Sequence, residues 1–359
     1  MADRITIQDI ADALGISRNT VSKAINNTGI LADATREKVL KKAAEMGYKQ
    51  FSYFTAADLD KRELFVPDSS KKGEIVLLTT VFWGKTYFIS SIIDVFQKEL
   101  SRLGYSLVMH RIQDHEIDNL KLPDSLDPKK IAGIICFEMF HHSYCQMICG
   151  LDLPVLFVDA PAGCVDSPLK ADRLFPDNQS DICAFVAEMV RRNKKKIGFV
   201  GEYLHCQSFF ERYAGYRSAM LLSGLPVTEE YCILGNKKGV KNPGSSDYQE
   251  YLTQQLLHMN SLPEVFICAN DFVAVDFMQV LKKAGITVPR DVYLCGFDDS
   301  SESRMITPTL TTIHIYSETM GLTAVHLLTS RIKDPSIKFR TVHTQTGLIY
   351  RESTKDSPS

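Results

Sequence analysis

The sequence predicts a small all-α head followed by an α/β domain built on parallel sheets. Two observations carry this reading. Residues 6–47 hold three short amphipathic helical patterns punctuated by glycine. From Gly73 onward, short continuous apolar runs alternate with amphipathic stretches, the pattern of strands covered by helices on both faces.

In the head, Thr6 is placed to cap a first helix, with Asp9 three residues later and Ile7, Ile10, Ala11 and Leu14 as its apolar face. Gly15 supplies a turn, and Ser17 caps a second helix that runs through Val21 to about Asn26. A third is expected from about Asp33 to Met46, with Val39, Leu40 and Ala43 inward and Gly47 as its stop. Helix, glycine turn, helix is the helix-turn-helix arrangement. The second helix exposes only hydrogen-bonding types: Ser17, Arg18, Asn19, Thr20, Ser22 and Lys23. Short hydroxyls at a helix N-terminus suit phosphate oxygens, and Arg and Asn there can reach guanine and adenine edges. The bland alternative is a polar surface helix in some other three-helix domain.

In the second domain, strands are predicted at Ile75–Leu78, Leu107–Met109, Gly133–Phe137, Val155–Val158, Ile197–Val200, Val265–Ala269 and Val292–Phe297. Helices are predicted at Ser90–Leu103, Ser180–Arg192, Arg212–Ser223 and Ala274–Ala284, and Gly104, Gly224 and Gly285 stop three of them. Ligands in such folds sit beyond the carboxyl ends of the strands. There the sequence places Asn270-Asp271, Asp298-Asp299, and Phe82-Trp83 with Tyr87. Carboxylates, an amide and flat rings suit a sugar or another polyhydroxyl. The alternative for each acid is that it caps the next helix.

Composition excludes several classes. The 359 residues carry a net charge of −2, which argues against a basic protein coating nucleic acid. Residues 1–50 hold eight Lys/Arg against six Asp/Glu, so one head would bind DNA weakly and two heads on a dimer are implied. No apolar run reaches the ~20 residues that span a bilayer, and MADRITIQDI lacks a signal-peptide core. The nine scattered cysteines read as reduced thiols of a cytoplasmic protein. Cys145 and Cys149 beside His141 and His142 lack a tight pair and a matching second pair, so no metal is expected, nor any other cofactor. The Arg191-Arg192 and Lys194–Lys196 run reads as a solvated surface.

The stretch ITIQDIADALGISRNTVSKAINNTGILADATREKVLKKAAEMGY resembles the head of the lactose-repressor (LacI/GalR) family almost position for position. Its elements fall at Thr6–Ala11, Gly15–Ser22, Ile25–Asn27 and Thr35–Val39. FICAND (Phe266–Asp271), GITVPRDV (Gly285–Val292), GFDD (Gly296–Asp299) and PTLTTI (Pro308–Ile313) resemble the same family's second domain, as do Asp177-Asn178 and Arg212-x-x-Gly215-Tyr216. The resemblance implies a helix-turn-helix head over residues 1–48 and a linker over 49–72. It implies a two-lobed, periplasmic-binding-protein-like (type I) effector domain over 73–350. One lobe is expected at about 73–160 plus 315–335, the other at 161–314 plus 336–350. It further implies a repressor that binds a pseudo-palindromic operator as a homodimer, gated by a small polar effector such as a sugar.

Carried over by position, base reading falls on Arg18, Asn19, Ser22 and Lys23, and phosphate contacts on Thr6, Ser17, Thr20 and Asn26. Lys23 stands where arginine is more usual and lacks its bidentate fork. Effector contacts fall on Arg212, Asn270 and Asp298, with Phe82, Trp83 and Tyr87 in support. The linker departs from the family: no Pro-Asn pair follows Tyr48, and Ala56 and Leu59 come two residues late. Phe54 and its aromatic neighbours either wedge into the minor groove or pack the linker onto the effector domain. The tail, residues 351–359, has no apolar periodicity and is expected to be disordered. An export-directed solute-binding protein would have no use for residues 1–48. An enzyme would need a nucleophile with its base or a phosphate loop, and the sequence offers neither.

Overall fold

The computed structural model describes residues 6–25, 35, 38–39, 41–43, 46, 72–81, 87–163, 167–235 and 243–355. The chain forms two compact units, Met1–Asp68 and Ser69–Ser359.

In the first unit, helix α1 spans Ile7–Leu14 and α2 spans Arg18–Ile25. Thr6 caps α1 through a capping box. Its backbone N–H donates to the Asp9 carboxylate at 2.7 Å, and its hydroxyl oxygen accepts from the Asp9 N–H at 3.3 Å. These Thr6 hydrogen bonds hold the Asp9 carboxyl below its usual range. Gly15 ends α1 at φ 64°, a left-handed turn that a side chain would strain. Ser17 then caps α2, its Oγ accepting from the Thr20 N–H at 3.1 Å. Ile10, Ala11, Val21 and Ala24 are buried against Val39 and Ala43, and residues 35, 38–39 and 41–43 are helical, as expected of the third helix. Asn26, Leu40, Gly47 and the hinge residues Phe54, Ala56 and Leu59 lie outside the described residues.

The second unit is organised by two parallel sheets. The first has six strands in the order β10-β5-β4-β3-β1-β2, with β1 Glu74–Thr79, β2 Ser106–Arg111, β3 Ile131–Phe137, β4 Val155–Val158, β5 Asp172–Pro176 and β10 Thr341–Thr344. The second runs β6 Ile197–Val200, β7 Val265–Cys268 and β8 Tyr293–Cys295. Beside it lies β9 Thr312–Ile315, reached by bridges at Cys295–Thr311 and Asp298–His314 and paired antiparallel with β11 Thr346–Ile349. Alternate residues of each strand face opposite sides, so Ile75 and Leu77 belong to one core cluster and Val76 and Leu78 to another.

Every predicted strand is present, but the lobe boundary needs correction. The expected second lobe, 161–314 plus 336–350, includes β5 and β10, whereas both pair within the first sheet. The cause is Asp172, whose charge disguises an inner strand. It is fully buried and accepts from Arg331 (Nη2, 2.9 Å) and Arg340 (Nη2, 2.8 Å). Burial alone would raise its carboxyl, but these hydrogen bonds overcome it and hold it below the usual range. The pair ties the helix Ser317–Lys333 to β5 and β10.

The expected disorder of the tail is also corrected for residues 351–355. Ser353 and Thr354 are fully buried. Ser353 Oγ donates to the Leu294 carbonyl at 2.6 Å and accepts from the Thr311 N–H at 2.8 Å. Order there rests on hydrogen bonds, which hydrophobic periodicity does not register. Among the described residues, no helix is long and apolar enough to cross a membrane.

Candidate effector cavity and DNA-reading surface

In the head, Arg18, Asn19 and Lys23 are exposed on α2, whereas Val21 is fully buried. Ser17 and Thr20 share a hydroxyl–hydroxyl bond of 2.8 Å, and the Thr6 hydroxyl lies 2.7 Å from the Asp9 carboxylate. Caps therefore fix both helix starts, and the charged and amide groups of α2 are left facing outward. Ser22 is half-buried.

In the second unit, a cavity of about 100 Å³ opens where the carboxyl ends of the two sheets meet. Arg212 lines it from the helix Gln207–Leu222, Asn270 from the start of the helix Asp271–Lys283, and Asp298 from the loop after β8. All three effector-site residues expected from the sequence are thus brought together. Phe82 and Trp83 lie outside the described residues; Tyr87 begins the helix Tyr87–Arg102, and nothing of its side chain is described.

Arg212 is only 4% exposed and heavily committed. Its Nε donates to Asn178 Oδ1 (3.0 Å) and its Nη1 to the Ala269 carbonyl (2.8 Å). Its guanidinium stacks 3.6 Å from the centre of the Phe297 ring. Nη2 lies 3.3 Å from Asp298 Oδ1, an ion pair without hydrogen-bond geometry, so that buried oxygen has no hydrogen-bond partner. Burial pushes the Asp298 carboxyl up to about 7, against the pull of Arg212. Asn270 caps its helix, its side-chain oxygen accepting from the Val273 N–H at 3.0 Å.

The neighbouring acids of the same motifs do other work. Asp271 is fully buried and accepts from Thr312 Oγ1 (2.6 Å) and the Ser300 N–H (2.7 Å). Burial, then the charge of Asp298, pushes it up to about 7. Gly296 makes room for it, because a Cβ there would collide with the Asp271 carboxylate. Asp299 binds Arg304 (2.7 Å), Arg351 (2.5 Å) and His314 (2.9 Å).

Two cavity acids went unnoticed in the sequence. Glu138 directly follows β3 and Asp159 directly follows β4, and both line the cavity. Inspecting the residue after each strand, the rule that picked out Asp298, also points to them. Burial, with the Asp159 charge adding to it, pushes Glu138 up to about 7. Burial raises Asp159 too, opposed by hydrogen bonds that include the Ala160 N–H at 2.7 Å and the Ser208 N–H at 3.2 Å. Glu138, Asp159 and Asp298 all hold left-handed φ angles of 50°, 62° and 110°. Such φ costs of order 1 kcal/mol or more per non-glycine residue and clusters at functional sites. Phe140, His205 and Phe209 form an aromatic wall, successive ring centres 5.2 Å apart.

A DNA-reading helical head joined to a cleft-bearing α/β domain defines a ligand-responsive DNA-binding transcription regulator. Residues 6–50 match the lacI family of bacterial regulatory proteins, and residues 186–354 match the periplasmic binding protein-like domain. It is 28% identical over 359 residues to the HTH-type transcriptional repressor PurR of Vibrio parahaemolyticus, covering 98% of each chain. A PurR of Actinobacillus pleuropneumoniae is 26% identical over 355 residues, again with 98% of each covered. The fold is similar to a transcriptional regulator CelR–cellobiose complex (TM-score 0.67, 22% identity, 98% of this chain and 100% of that one). It is also similar to the lac repressor dimer bound to operator and the anti-inducer ONPF (TM-score 0.61, 20% identity, 98% and 99%).

Proposed function

We propose that the chain represses transcription in the cytoplasm by binding a two-fold symmetric operator as a homodimer, and that it has no enzymatic activity. Arg18, Asn19, Ser22 and Lys23 read bases in the major groove, and Thr6, Ser17, Thr20 and Asn26 hold phosphates. The observation that carries this reading is the division of labour on α2. Its capping hydroxyls are held by local bonds, and its Arg, Asn and Lys are presented outward.

The effector is a small polar molecule, with a sugar or sugar derivative the first class to test. Arg212, Asn270, Asp298, Glu138 and Asp159 bind it, with Phe82, Trp83 and Tyr87 as aromatic support. Because the cavity is walled by the ends of both sheets, a ligand there biases the angle between lobes. By linkage, operator and effector change each other's affinity by the same factor.

Selection of bound sequences from randomised duplex DNA with the full-length chain tests this. Enrichment of a pseudo-palindrome is expected. Lack of enrichment at low salt, with or without candidate sugars, sugar phosphates and nucleosides, would overturn autonomous operator binding.

A further inference from the structure

The cavity holds more carboxyl groups than bases. Glu138, Asp159 and Asp298 face it, against the single guanidinium of Arg212 among the described lining residues. That guanidinium is already engaged by Asn178, the Ala269 carbonyl, Asp298 and the Phe297 ring. It has little left to offer a phosphate or carboxylate. Asp298 Oδ1, on a side chain 4% exposed, has the 3.3 Å ion pair with Arg212 Nη2 but no donor in hydrogen-bond geometry. A buried acceptor short of a well-placed donor is relieved by a ligand that donates to it. The aromatic wall offers ring faces, which attract cations.

We propose that the effector carries an ammonium group, as in an amino sugar, which enters this cavity, donates to Asp298 Oδ1 and pairs with Glu138 and Asp159. The proposal rests on the reading of this cavity as the effector site and narrows the class of effector. It sets anionic ligands, sugar phosphates included, at a disadvantage.

A proton signature follows. The titratable and charged groups facing the cluster are Arg212 from the helix Gln207–Leu222, His205 and the Cys206 thiol from the residues just before it, and Asp271 behind Gly296. Burial holds Glu138 and Asp298 up to about 7, so near neutrality each is partly protonated. An arriving ammonium restores their ionised form. Binding therefore releases protons, and affinity rises as pH increases through about 7.

Full-length protein is tested by thermal shift and calorimetry with two matched sets: glucosamine, glucose and glucose 6-phosphate; ethanolamine, ethylene glycol and glycolate. Potassium chloride at equal ionic strength is the control. The amines are expected to stabilise the protein and to bind about tenfold or more tighter than their neutral partners, with proton release in buffers of differing ionisation enthalpy. Glu138→Gln, nearly isosteric and checked for its own unfolding temperature, is expected to erase that preference. Asp298→Asn is the second variant and should do the same. Equal or tighter binding of a neutral or anionic member overturns the ammonium proposal while leaving the effector site standing. Silence from both amines overturns it as well. Release of the selected operator by any compound that does not compete with the amines would instead show the effector site itself to be misplaced.

Discussion

Asp298 and Asp299 are consecutive residues with left-handed backbones, yet they have opposite circumstances. Asp299 is saturated by Arg304, Arg351 and His314. Burial would raise its carboxyl, but the hydrogen bonds from Arg351 and Arg304 prevail and hold it below the usual range. Asp298 is pushed the other way, to about 7, and one of its oxygens has no hydrogen-bond partner. One acid is spent on holding loops to the second sheet. The other is held in reserve at the cavity. The pair shows that a motif fixes positions without assigning the same work to each of its residues.

The largest effect is expected from Asp299→Ala. It leaves three basic side chains without their shared acceptor and should cost roughly 3 kcal/mol, the low end for a buried pair because Arg304 is more than half exposed. Urea unfolding at neutral pH measures it. The contribution of Asp299 is fully present above the unfolded carboxyl pKa, near 3.9. It is lost as pH falls through the depressed folded value, so variant and wild type converge in strong acid.

A smaller loss, about 1 kcal/mol, is expected from Asn270→Ala, which removes a helix cap. The same unfolding measurement reads it.

The smallest change in stability, and the one of opposite sign, is expected from Asp298→Asn. A carboxyl raised to about 7 in the folded state contributes no penalty below the unfolded pKa. The penalty builds as pH rises toward the folded value and is complete above it. The variant should therefore match wild type near pH 4, by this linkage, and exceed it by an amount on the order of 1 kcal/mol above about pH 7. Loss of the Arg212 pair limits the gain. A pH series of unfolding midpoints checks the sign; a variant less stable at every pH would mean that Asp298 is structural like its neighbour.

Much of this arrangement was legible in the sequence, for physical reasons. The strands β1, β3, β4, β6 and β7 announce themselves as apolar runs because both their faces are covered. Thr6 and Ser17 were readable because capping needs one residue type at one position. The strand β5 was not, since Asp172 is buried by pairing with Arg331 and Arg340, both far away in sequence. The helix Gln207–Leu222 starts five residues before its predicted beginning at Arg212, and its first turn carries no capping side chain to announce it. Ser353 and Thr354 escaped notice because hydrogen bonds, not apolar contacts, bury them. Glu138 and Asp159 lie singly after their strands, without the adjacent polar pairs of Asn270-Asp271 and Asp298-Asp299.

The most direct test of the account is an equilibrium titration of full-length wild type, Arg18→Ala and Asp298→Asn on the selected duplex and on a scrambled duplex of equal length. Arg18→Ala is expected to lose sequence preference, by roughly 1–3 kcal/mol per half-site, while binding the scrambled duplex much as wild type does. Asp298→Asn should keep the preference. An Arg18→Ala protein that discriminates the two duplexes as wild type does would contradict the assignment of base reading to α2.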